Sequence, residues 1–204
     1  MSNAETPLQT SSFSIRRIFD YALIQSALVH PSTYAAMADD FASPREKFMA
    51  RMDEAIWYVG CFQVEECMFG AKPRQEFLGL WAFLPLSPIR WSVHTCLLPA
   101  IRGHAIEATR AMLEWLWANS PCERILTDVP VYNRLALKLA RDVGMEEIGI
   151  DRQSIKKGGK LHDQILLGLS KNHDAQDAAP YFGRPDADVM RHGGTGAGVA
   201  TEEI

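Results

Sequence analysis

Between Arg90 and Trp117 the chain changes its periodicity across a single proline. From Arg90 to Leu98 the side chains alternate, with Trp91, Val93, Thr95 and Leu97 on one face and Ser92, His94, Cys96 and Leu98 on the other, which predicts a strand. From Ala105 to Trp117 the apolar stripe Ala105, Ala108, Met112, Trp115 and Leu116 predicts an amphipathic helix. Pro99 and Arg102-Gly103 leave room between the two for a tight turn only. Such a turn sets the first N–H groups of the helix beside the end of the strand, where they can hold a phosphate.

The same reading extends in both directions. Phe13 to Phe19 predicts a strand, and Asp20 is the expected cap of a helix over Tyr21 to Val29 that stops before Pro31. Ser32 is the expected cap of a second helix, Tyr34 to Ala38; Asp39 to Pro44 reads as a loop and Arg45 to Met52 as a helical segment. Ala55 to Val64, Glu76 to Leu84, Arg124 to Val129, Met145 to Ile150 and His162 to Leu169 are expected strands, with turns at Ala71 to Arg74 and Lys156 to Lys160. Asn133 to Val143 predicts another amphipathic helix, stopped by Gly144. This order makes an α/β (α+β) domain with a mixed, mostly antiparallel central sheet flanked by helices. Residues 1–12 are expected to be a flexible N-terminus, 13–170 the folded domain and 171–204 a flexible tail, where Asp, Ala, Gly and Pro dominate without apolar period.

A chain of 204 residues with 47% hydrophobic and 23% charged residues suits one ordinary globular domain. A net charge of −4 without any Lys/Arg block excludes nucleic acid as the main partner. No apolar run approaches the ~20 residues of a membrane span, and Met1 to Ser12 lacks the charged and apolar regions of a secretory signal. Cys61, Cys67, Cys96 and Cys122 form no Cys-x-x-Cys pair, and three of them sit in apolar surroundings. They read as buried thiols in a reducing compartment, with cytoplasm the default, and no metal site is expected.

Val93 to Ala108, followed by Asn133-Arg-Leu-Ala136 and Gly144-Met145, resembles in order and spacing the acyl-CoA-binding core of the GNAT superfamily of N-acetyltransferases. The resemblance implies a sheet whose central strands splay apart, with Leu97 and Leu98 binding the pantetheine of acetyl-CoA through main-chain groups. It implies that Arg102, Gly103, His104, Ala105 and Ile106 form the pyrophosphate loop, and that Asn133 lies against pantetheine. Read from the residues alone, Leu97 and Leu98 equally suit the end of a core strand, and Asn133 equally suits a helix N-cap.

Three positions depart from the family pattern. The usual loop is Arg or Gln, two residues, Gly, one residue, then Gly or Ala; here Ala105 replaces the first required glycine and Glu107 stands where a small residue is usual. A carboxylate in the first turn stabilises an empty helix but repels a bound diphosphate unless it turns away. Arg102, His104 and Arg110 are placed to offset it. In many relatives a Tyr seven residues after the Asn protonates the departing thiolate; here that position is Ala140, which has no proton to give.

His94 is the titratable side chain nearest the expected splay, and an ordinary pKa near 6.5 suits it to take a proton from an ammonium. A lone His on an apolar strand is also commonly a hydrogen-bonded core residue. The expected function is an N-acetyltransferase moving an acetyl group from acetyl-CoA by direct attack of an amine, borne by a small molecule or a protein. The alternative is a GNAT-fold protein without catalysis, serving as a binding or phage-associated component. The Val93-His-Thr-Cys-Leu-Leu-Pro99 run and the N-terminal helical segment also look like phage- and prophage-encoded members. Transfer from a different acyl carrier is a third reading, and homodimerisation through a sheet edge is left open. Gly193 to Gly198 resembles a nucleotide-binding loop, but no strand precedes it, so it reads as part of the tail.

Overall fold

The computed structural model describes residues 7–10, 12–64 and 75–171, which all lie within one compact unit. The expected turn at Ala71 to Arg74, Cys67 and the tail from residue 172 onward lie outside the described residues. In chain order the elements are β1 (Leu8–Gln9), β2 (Phe13–Arg17), α1 (Tyr21–Leu28), α2 (Pro31–Met37), β3 (Trp57–Val64), β4 (Gln75–Pro85), β5 (Arg90–Leu97), α3 (Ala105–Asn119), β6 (Arg124–Pro130), α4 (Arg134–Asp142), β7 (Glu146–Lys157) and β8 (Lys160–Ser170). The strands form an eight-stranded sheet in the order β1-β2-β3-β4-β5-β6-β8-β7. Every neighbouring pair is antiparallel except β5 and β6. Those two run parallel because the long helix α3 carries the chain back between them. The mixed, mostly antiparallel sheet flanked by helices is the architecture expected from the sequence.

The two faces of the sheet bury separate cores. On one face, Met112, Trp115 and Leu116 of α3 pack against Trp81, Phe83, Trp91 and Val93. On the other, Ile24, Ala27 and Leu28 of α1 pack against Tyr58, Phe62, Leu80, Ala82 and Cys96. Beneath α4 lies a smaller cluster of Leu137 and Ala140 with Val129, Ile165 and Leu167. Each large apolar side chain buried in these layers contributes roughly 1.5–3 kcal/mol. The alternation along β5 is therefore used on both faces.

The structure corrects several expectations. Leu8–Gln9, within the segment expected to be flexible, pair with Ile15 and Ser14. Helix α2 starts at Pro31, with His30 rather than Ser32 as its cap; Nδ1 of His30 accepts from Ser32 N–H. Proline fits at the first helical position because the N–H it lacks would be unpaired there. Arg45 to Met52 is not a helix: only Arg45–Lys47 makes a 3₁₀ turn. The Gln25 amide of α1 donates to Phe48 O at 2.6 Å and accepts from Ala50 N–H at 2.7 Å. Those are the backbone groups that a continuing helix would have paired with itself. The last two strands run longer than expected and form a twelve- and eleven-residue hairpin turning at Gly158-Gly159.

A bulge shapes the sheet near its centre. Cys61 pairs with Gly79 and the adjacent Phe62 with Phe77, leaving Leu78 as the extra residue on β4. Gly79 there has φ +127, and a Cβ at that position would lie 2.5 Å from Cys96 O and 2.8 Å from Leu97 Cα. Only glycine allows β4 to press this closely on the end of β5.

Candidate active site

Strands β5 and β6 share three rungs, Arg90 with Arg124, Trp91 with Ile125 and Ser92 with Leu126, and then part. One residue further on, the Thr127 hydroxyl donates to Val93 O at 3.1 Å. Val93 O therefore points toward β6, and in an extended strand the main-chain groups of every second residue share that direction. Thr95 and Leu97 accordingly turn their N–H and C=O groups toward β6, past the last rung of the ladder. Leu98 behaves differently: its N–H donates to Leu78 O at 2.9 Å and faces β4. Of the two leucines named from the sequence, Leu97 offers its main chain to the gap.

Immediately after Leu98, Pro99–Ile101 make a 3₁₀ turn, Gly103 adopts φ +91, and α3 begins at Ala105. The turn is held by Arg102 N–H to Pro99 O and His104 N–H to Ile101 O. His104 occupies the N-cap, yet among the described residues no side chain accepts from the first turn of α3. Asp20, His30 and Asn133 each supply such a cap to α1, α2 and α4. The N–H groups of Ala105, Ile106 and Glu107 thus point out of the helix end, and nothing lies within 4 Å of where a Gly103 Cβ would be. Glu107 leans on His104, with Oε2 3.5 Å from Nδ1, and both side chains are more than half exposed. Arg110 is engaged elsewhere, donating to Asp142 O at 2.9 Å.

Asn133 caps α4, its Oδ1 accepting from Ala136 N–H at 3.2 Å. It follows the end of β6 on the other side of the gap from Leu97. Ala140 is 7% exposed on the inner face of α4, so the family's acid position lies in the small core. Tyr132 does not replace it as an open donor. Its ring stands edge-on to His162 with centroids 5.0 Å apart, and its buried hydroxyl has no hydrogen-bond partner among the described residues. Burial raises the Tyr132 pKa, and the Asp39 and Asp40 carboxylates add to that effect.

His94 emerges on the opposite face of β5 from α3, on the same side as α1 and α2. It lies in the wall of a cavity of about 460 Å³, lined also by Met37, Asp39, Phe48, Ile56, Tyr58 and Leu84. The imidazole is accessible to solvent through this cavity, while protein crowds it on the other sides. That burial lowers its pKa below the ordinary value, and the Asp128 carboxylate acts in the opposite direction. Ile125 and Val129 of β6 pack under α3 and α4, so Asp128 projects to the His94 face across the gap. His94 is thus neutral at pH 7, in a concave site, and makes no hydrogen bond among the described residues.

Asp128 was not singled out from the sequence. Its signal was an acid interrupting the apolar run Ile125-Leu-Thr-Asp-Val129, on the alternation that also places His94. The cavity wall contributed by Phe48 and Ile56 carried no such signal, because those residues come together only through the fold.

On this face the segment after α2 is tied to the tip of the last hairpin. The Asp40 carboxylate accepts from Gly158 N–H at 2.7 Å and Gly159 N–H at 2.8 Å, and Asp40 N–H donates to Lys156 O at 2.9 Å. Lys157 Nζ donates to the carbonyls of Ala35 and Ala38, the latter at 3.0 Å. The two backbone N–H donors hold the Asp40 carboxyl below its ordinary pKa.

Cys61, Cys96 and Cys122 are buried and free, and burial pushes the thiols up to about 12, about 12 and about 11. They are protonated and unreactive at neutral pH. Among the described residues, no cluster of three or more His, Cys, Asp or Glu could hold a metal ion, and no helix is long and apolar enough to cross a membrane.

No protein-family model matches the chain, and no curated protein matches it in sequence. Solved structures do match it. A ribosomal-protein-S5-alanine acetyltransferase from Vibrio fischeri superposes with a TM-score of 0.62 at 14% identity, over 82% of this chain and 98% of that one. A spermidine N-acetyltransferase from Vibrio cholerae, in complex with CoA and spermine, gives 0.62 at 13% identity, over 79% and 96%. A probable acetyltransferase (GNAT family) from Chromobacterium violaceum gives 0.57 at 16% identity, over 83% and 88%. The fold is that of the GNAT acetyltransferases, as the sequence resemblance implied. At such identities the likeness defines the fold, and the chemistry rests on the site.

Proposed function

We propose that the protein is an acyl-CoA-dependent N-acetyltransferase that moves an acetyl group from acetyl-CoA to an amine. The observation that carries this reading is the parting of β5 and β6 beyond Ser92, beside an uncapped helix N-terminus. The chain's own groups fit the cosubstrate. Thr95 and Leu97 offer main-chain partners to an amide chain lying in the gap, much as an added strand would be held. The N–H groups at Gly103 and Ala105 to Glu107 suit a diphosphate, with Arg102 as the nearby cation. Asn133 retains its amide N–H₂ for a ligand while its oxygen caps α4. Acetyl-CoA supplies a thioester carbonyl as the electrophile.

The remaining work falls to His94. An ammonium cannot attack, so its proton must leave first, and a neutral imidazole at the wall of the acceptor cavity can receive it, directly or through one water. The nitrogen then forms a bond to the acetyl carbon as the carbon–sulfur bond breaks, and it releases its second proton to water. With Ala140 unable to donate, the departing thiolate takes its proton from water. Asp128 steadies the imidazolium that forms on His94. Retention of the open turn and the parted strands counts against a scaffold that has lost its cofactor. The three free, unreactive cysteines support a reducing compartment such as the cytoplasm.

Titration of the protein with acetyl-CoA by calorimetry tests this. Saturable binding that is lost when Gly103→Pro distorts the turn is expected; no heat at millimolar cofactor rejects the reading.

A further inference from the structure

The cavity that contains His94 is more selective than its size suggests, because most polar groups in its wall are already engaged. The Tyr58 hydroxyl donates to Arg51 O at 2.8 Å, and the Tyr34 hydroxyl donates to Ser43 O. The Arg51 guanidinium, part of the lining, is 75% exposed and has its Nη2 3.5 Å from the Asp53 carboxylate. Met37, Phe48, Ile56 and Leu84 present only carbon and sulfur to the space. What remains to a guest is the His94 imidazole and the Asp39 carboxylate, of which one oxygen already accepts from Phe41 N–H.

Resting on the transferase reading, we infer that the acceptor is a monoamine with a compact hydrophobic body. The amino group is drawn in by Asp39 and delivered to His94, and the apolar body fills the space between α1–α2 and the sheet. A volume of about 460 Å³ lies within the range of small-molecule sites. A polyamine would set its further ammonium groups against apolar walls with one carboxylate between them, which desolvation forbids. An extended peptide would bring amides that find no free partners there. An acidic acceptor would meet the Asp39 carboxylate, while the Arg51 cation of the lining is already paired with Asp53.

The test uses the full chain and three probes: 2-phenylethylamine, spermidine and the peptide Ser-Asn-Ala. With acetyl-CoA present, kcat/KM for 2-phenylethylamine is expected to exceed that for each of the others at least tenfold. Ala42→Trp, at the exposed rim of the cavity, is expected to raise the KM for 2-phenylethylamine about tenfold while leaving the Kd of acetyl-CoA within twofold. An active enzyme that prefers spermidine or the peptide overturns the inference and leaves the transferase reading standing, as does an unchanged KM in Ala42→Trp. If acetyl-CoA does not bind, the transferase reading fails, and methyl NMR of Met37 and Met49 during titration with 2-phenylethylamine decides the site by itself. Shifts confined to those methyls uphold a hydrophobic amine site; none up to millimolar amine overturns it.

Discussion

The Thr127 hydroxyl donates to Val93 O at 3.1 Å, bridging β5 and β6 one residue beyond their last shared rung. This side chain completes a ladder that the main chains have already left, and so fixes where the strands part. Thr127→Val keeps the shape and removes the donor, leaving a carbonyl unpaired in a half-buried setting. Denaturant unfolding should show a loss of about 1 kcal/mol. A loss within 0.2 kcal/mol, roughly the error of such a measurement, would show that water replaces the hydroxyl at no cost.

Gly79→Ala should be among the most damaging single-methyl changes in the chain. The new Cβ would lie 2.5 Å from Cys96 O, at φ +127. Strain and overlap together should cost at least ~2 kcal/mol, read as a lowered thermal midpoint. Because the strand displaced is the edge of the gap, acetyl-CoA affinity should fall further than stability alone explains.

Glu107→Gln should have opposite effects on two measurements. Removing a carboxylate from the first turn of α3 weakens the empty helix by a few tenths of a kcal/mol. The same change removes repulsion toward a diphosphate, so acetyl-CoA should bind roughly twofold to fivefold more tightly at low salt. Weaker binding in Glu107→Gln would mean that the pyrophosphate does not approach this turn.

With His94 as the proposed base, the acid limb of the pH profile should follow its titration. Burial disfavours its charged form, so the neutral base survives below the ordinary value of 6.5, and kcat/KM should decline only as pH falls through that depressed value. Asp128 stabilises the imidazolium and holds the value up. Asp128→Asn should therefore move the acid limb to lower pH, while His94→Ala should remove it and slow turnover about 10²–10⁴-fold. A limb that moves upward in Asp128→Asn would reverse the assigned electrostatics.

The elements around the Pro99–Gly103 turn were legible because local rules decide them. Pro99, Gly103 and Gly144 punctuate the chain, and the change of period between Leu98 and Ala105 separates strand from helix. Asn133 fills the N-cap role that its position allows, with its oxygen on Ala136 N–H. Arg45 to Met52 misled because its composition suits a helix, and only Gln25, some twenty residues away in sequence, draws its backbone into an extended path. Asp128 escaped notice for a related reason. A strand's own alternation says which face a residue takes, but its neighbour on a parallel strand is fixed by the crossover. The cavity beside His94 was the least legible part, being assembled from α1, α2, the segment that follows them and strands β3, β4 and β5.

The contacts between Asp40 and the tip of the last hairpin link parts of the molecule that lie on either side of the parted strands. The segment after α2 lines the His94 cavity together with residues of β4 and β5, whereas the hairpin belongs to the far flank of the sheet, beyond β6. Strands β5 and β6 share main-chain rungs at one end only, so this clasp gives the two flanks a second tether that does not pass through the gap itself.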